Sequence, residues 1–217
     1  MLNFSILERY IDSYLAGFYN TIQSSVLALI GSFVLGTVIA VFRIAPVKPL
    51  NWFGTAYVEF IRNIPLLLVV FFFYLGLPSL GITLDGFVCG TIGLAVYTSS
   101  FIAEAIRAGI MSVPKGQTEA ALASGLTYLK TMRHIILPQA IKIVIPPLGN
   151  QFINLIKNSS ILTVFAGFDL MYYGDIINTD TFDTFSTYIF VAMFYLLLTI
   201  PLSFAVVRIE RRLARND

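Results

Sequence analysis

Charged and amide side chains stand inside stretches that are otherwise apolar, and their spacing limits the chemistry open to them. Glu59 and Arg62 lie one helical turn apart, followed by Asn63 and Pro65. An ionisable group at membrane depth is costly unless it pairs or faces water, so it marks a functional site by default. Two uses fit the pair. The two side chains neutralise each other, or Glu59 meets a cationic group of a passing substrate. Glu104 and Arg107 repeat the i, i+3 spacing, which brings them together on a helix and suits a structural pair or gate better than substrate contact. One to two turns earlier, Thr98 and Ser99 lie deeper and offer hydroxyls to a ligand.

Asn150, Asn154, Lys157, Asn158 and Ile161 recur at helical spacing, which puts four polar groups on one face, with Gln151 one residue off it. Such a face lines a wet cavity or the bundle interior, or it hydrogen-bonds helices together. Lys157 sits near the end of its stretch and can instead snorkel to the surface. Pro146 and Pro147 precede this face and loosen the backbone ladder there.

Covalent and metal chemistry have no such support. His134 is the only histidine and has no base or ligand partner at suitable spacing. It reads as an interfacial residue. Cys89 is the only cysteine and lies in an apolar run, so it reads as a small packing residue, with no disulfide or cysteine-based zinc site. No G-x-x-x-x-G-K-[ST] loop occurs, so the chain is not its own ATPase by that chemistry. The expected metal count is none, and no cofactor is expected in this chain.

The elements that position these residues must cross a membrane. The chain has 217 residues, 57% hydrophobic and 12% charged, with a mean hydropathy of +0.82. Soluble domains carry about 25% charged residues. The net charge of +2 is too small for a nucleic-acid footprint. A helix needs about 20 apolar residues to cross the hydrocarbon. Five spans are predicted, near 18–42, 54–77, 87–108, 139–158 and 186–207. Pro65 should kink the second. The amphipathic stretch 165–177 is too short to cross and is predicted to lie on the surface or re-enter. Gly86, Gly90 and Gly93 suit close packing within one bundle, or a dimer interface. The first apolar run is too long for a signal h-region, so no cleaved leader is expected.

Charge sets direction. Arg43, Lys48, Lys115, Lys130, Arg133, Arg208, Arg211, Arg212 and Arg215 fall on one side of these spans. Asp85, Asp169, Asp175, Asp180 and Asp183 fall on the other. The positive-inside rule then puts the N-terminus outside and the C-terminus and the loop 109–138 in the cytoplasm. That loop has helical grammar of its own. Pro114 suits a first turn, Gly125 a left-handed stop, Thr127 the cap of a second helix, and Pro138 the entry to the next span.

The same loop carries a resemblance. Glu119, Ala120, Ala121, Gly125, Ile135, Leu137 and Pro138 fit E-A-A-x3-G-x9-I-x-L-P without a gap. This resembles the cytoplasmic coupling loop of bacterial ABC importer permeases. Ala123-Ser124 departs from the small residue and Leu expected before that glycine. F-I-R-N-I-P-L at 60–66, A-E-A-I-R-A-G-I at 103–110, P-K-G-Q-T-E-A-A at 114–121 and N-L-I-K-N-S-S-I at 154–161 narrow the likeness to polar amino-acid permeases of the histidine, arginine and glutamine type. It covers nearly the whole chain.

The resemblance implies an all-α membrane protein, one permease domain over 1–217, of the type I ABC importer kind. It assigns coupling to Pro114, Glu119, Ala120, Ala121, Gly125 and Arg133. A second permease, identical or similar, an ABC ATPase dimer that binds ATP and Mg, and an extracellular solute-binding protein are the implied partners. The chain itself is not an enzyme. Glu59, Thr98, Ser99, Asn150, Gln151, Asn154 and Asn158 are the candidate substrate contacts, with Arg62, Glu104, Arg107 and Lys157 as gate or ion-pair residues. Glu59 and Glu104 favour a cationic amino acid (arginine, lysine or histidine), while the amides of the fourth span suit glutamine. A channel would show a polar ring or carbonyl filter and a secondary transporter inverted repeats; neither pattern is present in the sequence.

Overall fold

The computed structural model describes residues 2–214, and Arg215, counted above among the cations of one end, lies outside them. The described chain is helical. The elements are α1 (Phe4–Ile44), α2 (Lys48–Arg62), α3 (Leu66–Phe71), α4 (Gly86–Met111), α5 (Lys115–Ala123), α6 (Tyr128–Thr131), α7 (Leu137–Asn158), α8 (Leu170–Thr181) and α9 (Thr184–Ala214). Short π and 3-10 turns extend α3 to Leu80, join α6 to α7, and extend α7 to Phe165.

Three helices, α1, α4 and α9, are each long and apolar enough to cross a bilayer, and counting each of two bent pairs as one span gives up to five. Contacts fix their directions. Gly36 of α1 meets Ser99 and Ile102 of α4, and Arg43 meets Glu104, so α1 and α4 run parallel. Leu94 packs with Leu155 and Gly109 faces Val144, so α7 returns antiparallel. The backbone N–H of Asn3 donates to Ser186 Oγ at 3.0 Å, and Tyr14 stacks on Phe194, so α9 runs with α1. The fold thus has two ends. One carries α5 and α6 and is called the loop end here.

The second span is the first broken one. Pro65 cannot donate a backbone bond, so the ladder ends at Asn63, and α2 and the α3 stretch meet at 111°. The Pro65 kink is as the sequence predicts, but α2 starts at Lys48, six residues before the predicted span. The fourth span is the second. Ala166 and Phe168 take left-handed φ of 52° and 54°, Asp169 caps α8 by accepting from the N–H groups of Met171 and Tyr172, and the bend is 51°. Of the two expectations for 165–177, burial rules out the surface helix, and the bend agrees with a stretch that re-enters the bundle. Leu170 and Ile177 are buried with Ile6, Tyr14 and Phe190, between α1 and α9. The left-handed backbone at Ala166 and Phe168 makes the turn.

Packing relies on small residues, since lipid tails give helices no hydrophobic reason to associate. A Cβ at Gly36 would lie 2.8 Å from the Ser99 carbonyl oxygen, so only glycine lets α1 and α4 approach this closely. Gly86, Gly90 and Gly93 face Phe165, Leu162 and Val70 of the same chain, which places them in packing within the bundle and not at a dimer interface. Asp169, fully buried, receives the Tyr195 hydroxyl at 3.4 Å, and the Leu170 N–H donates to Thr21 Oγ1 at 2.9 Å. These bonds tie α8 to α9 and α1.

Candidate functional site

Two regions gather the polar residues. The first is a cleft of about 400 Å³ between α4 and α7, lined by Tyr97, Thr98, Phe101, Gln151, Asn154, Leu155, Lys157 and Asn158. The α7 residues reach it together because 151, 154 and 158 share a helical face. The α7 helix stays continuous through Pro146 and Pro147. Tyr97 and Phe101 pack with ring centres 5.1 Å apart, tilted by 52°, and form an aromatic wall. Arg62 lays its guanidinium over Phe101 at 5.1 Å, a cation–π contact at the edge of the cleft. Amide, hydroxyl, aromatic and cationic groups converge here, and no carboxylate lines it among the described residues.

The other candidate contacts sit elsewhere. Asn150 is exposed and donates its amide to the Pro146 carbonyl at 3.3 Å, so Gln151, one residue off the predicted face, occupies the cleft instead. Ser99 is buried, donates to the Val96 carbonyl and lies 2.7 Å from the Tyr57 hydroxyl. It ties α2 to α4. Glu59 is exposed on α2 and makes no ion pair with Arg62 among the described residues; Arg62 is turned to Phe101 instead.

Glu104 and Arg107 pair as their spacing predicts, through Arg107 Nη2 at 2.7 Å and Nε at 3.2 Å. The same carboxylate also takes Arg43 from α1, whose side chain is only 7% exposed. Arg43 is a partner the sequence did not suggest, because the contact spans 61 residues. Its place among the cations at the end of the first span was the only signal.

The second region is the loop end. α5 ends in a Schellman turn: Gly125 takes φ +82°, its N–H donates to Leu122, and the N–H of Leu126 donates back to Ala121. Thr127 caps α6 by accepting from Lys130 N at 3.4 Å. Pro114 precedes the first turn, with the helix beginning at Lys115. The second helix does not stop before the next span. From Tyr128 it runs through a π turn at Met132–Ile136 into α7, and Pro138 falls inside that continuous helix. The wider π turn accommodates the missing N–H of Pro138.

Glu119, Ala120, Gly125, Arg133 and His134 are exposed on this loop. Ala121 instead turns inward and is buried. Leu122, Tyr128 and Leu129 are exposed there, Leu129 by 76%. Sequence reasoning passed over these three, although apolar residues in a polar island were visible. A surface of this kind, an acid and a base around exposed leucines, suits docking to another protein.

Relatives carry the same architecture. The chain is 64% identical over 215 residues to the probable glutamine ABC transporter permease protein GlnM of Bacillus subtilis, covering 99% of this chain and 100% of that one. It is 37% identical over 199 residues to the probable glutamine permease GlnP of the same organism, covering 90% and 91%. Among solved structures, an amino acid ABC transporter crystallised with histidines superposes with a TM-score of 0.92 at 36% identity, over 98% of this chain and 99% of that one. A passive channel and a secondary transporter are thereby set aside. With the family model matching residues 32–215, the chain belongs to the binding-protein-dependent transport system inner membrane components, membrane subunits of ABC transporters that leave ATP hydrolysis to a separate chain.

Proposed function

We propose that this chain is the permease subunit of an importer for a neutral polar amino acid, of the glutamine type. The observation that carries the reading is the lining of the α4–α7 cleft. Gln151, Asn154, Asn158 and Thr98 supply donors and acceptors for a carboxamide, and Lys157 supplies a cation for an α-carboxylate. The expectation of a cationic substrate is less well supported. Glu104 is engaged by Arg43 and Arg107, and Glu59 does not line the cleft. The two glutamine-type relatives support the same choice.

The machine is a pair of permease domains, identical or similar, with this chain as one domain over 1–217. Two copies of a separate ATPase bind ATP and Mg and dock on the exposed loop around Glu119, Ala120, Leu122, Gly125, Leu129 and Arg133. A solute-binding protein delivers substrate to the opposite end. ATPase closure on ATP tilts the bundles and supplies the energy, and alternating access requires the cleft to differ in affinity between the two arrangements. The N-terminus lies outside and the loop end in the cytoplasm, a reading that the cation distribution supports.

Uptake of labelled glutamine into cells that express the complete importer tests the substrate. Excess unlabelled glutamine should abolish it and excess arginine should not. Competition by arginine equal to that by glutamine would overturn the glutamine reading.

A further inference from the structure

A basic pocket of about 440 Å³ lies at the loop end, separate from the α4–α7 cleft. Arg43, Arg107 and Lys115 are in its walls, between the ends of α1 and α4 and the inner sides of α5 and α6. Glu104 is the only carboxylate that pairs with these cations among the described residues. Two buried polar atoms of the lining have no hydrogen-bond partner there. They are Nε of Arg43 and Oγ1 of Thr131, and Thr131 is 1% exposed. A buried donor without an acceptor is unfavourable, so the pocket is set up to receive an anion.

The basic pocket adjoins an apolar one. A crevice of about 510 Å³ between α1, α4, α7 and α9 is lined almost wholly by hydrocarbon. Ile110 lines both cavities, and Leu137 of the crevice follows Ile136 of the basic pocket. From there the crevice extends along the bundle to Phe33 and Phe152. A ligand that fills both has an anionic head and an apolar tail.

We propose that this composite site binds an anionic phospholipid. The phosphate of the headgroup sits among Arg43, Arg107 and Lys115, and an acyl chain lies in the crevice. Basic pockets between membrane helices are suited to such headgroups. Lys115 opens α5, whereas Arg43 and Arg107 belong to α1 and α4. The headgroup therefore bridges the loop to the bundle, and bilayer charge is linked to the positioning of α5.

The test uses the complete transporter with its ATPase, in nanodiscs of phosphatidylcholine alone or with phosphatidylglycerol. Native mass spectrometry reads bound lipid, and thermal unfolding reads stabilisation. Phosphatidylglycerol should remain bound and raise the melting temperature, while phosphatidylcholine should do neither. Lys115→Gln combined with Thr131→Val should lose most of the bound lipid, and Lys115→Arg should keep it. Ala205→Trp, which fills the crevice without touching the basic pocket, should also lose it. Equal retention of the two lipids by the wild type overturns the proposal. Equal protection by inorganic phosphate in neutral nanodiscs also overturns it, in favour of a free-phosphate site. Full retention by Ala205→Trp removes the acyl chain from the crevice and overturns the composite site.

Discussion

Arg43 reaches from the last turn of α1 to the carboxylate of Glu104 in α4, and its side chain is almost wholly buried. Arg107 holds the other oxygen of that carboxylate at 2.7 Å. The cluster joins two parallel spans just where the loop end begins. A buried charge that loses its partner is costly, whereas replacing both partners by apolar groups is often tolerated. Glu104→Gln should therefore lower stability by about 3 kcal/mol. Arg43→Met with Glu104→Leu leaves only Arg107 unpaired, whose side chain is 33% exposed and can turn to water, so it should lose less than the single variant. Melting temperature and yield in detergent check both. Wild-type stability of Glu104→Gln together with altered transport would make the cluster a gate and not a structural tie.

The turn at Gly125 separates backbone strain from crowding. An added Cβ there meets nothing within 4 Å, yet φ is +82°. Only conformation is at issue. A β-branched residue resists this region at a cost of about 1–2 kcal/mol, while asparagine adopts it readily. Gly125→Val should reorient α5 and uncouple transport from ATP hydrolysis, with the subunit still inserted. Gly125→Asn should behave close to wild type. Substrate-stimulated ATPase activity of the reconstituted transporter is the measurement, and equal activity in the two variants would separate this turn from coupling.

Local chemistry was legible in the sequence, and long-range chemistry was not. The Pro65 break, the Gly125 stop and the Thr127 cap each depend on residues within one turn, and all three occur in the structure. Arg43–Glu104 and Tyr57–Ser99 join residues 61 and 42 apart, where no spacing rule applies. The break before α8 was legible as a re-entrant alternative, whereas the left-handed backbone of Ala166 and Phe168, neither of them glycine, was not. The polar face of α7 was legible to within one residue: a step of 100° separates Asn150, outside the cleft, from Gln151, inside it.

The cleft and α2 make opposite predictions for two polar residues. Asn154 lines the cleft, whereas Glu59 does not. Asn154→Leu should remove a donor and acceptor from the proposed substrate path. A lost hydrogen bond of about 1.4 kcal/mol would raise the apparent KM for glutamine about tenfold. Glu59→Gln should leave the preference among amino acids unchanged. Initial uptake rates over a range of glutamine and arginine concentrations test both. A Glu59→Gln variant that loses arginine uptake selectively would restore the carboxylate to the site.

Orientation follows from cysteine accessibility. Cys89 is buried in α4, at 1% exposure, and should not react with a membrane-impermeant maleimide, so the native background serves. Asp180 is exposed near the end of α8, and Gly116 is exposed at the start of α5, where an added Cβ meets nothing. The two positions lie at opposite ends of the bundle. Asp180→Cys should label in intact cells, and Gly116→Cys should label only after the membrane is opened. The positive-inside rule predicts that the end with Arg43, Lys115 and Arg211 lies inside. Labelling of Gly116→Cys from outside would invert the chain, remove the loop from reach of a cytoplasmic ATPase, and end the coupling proposal.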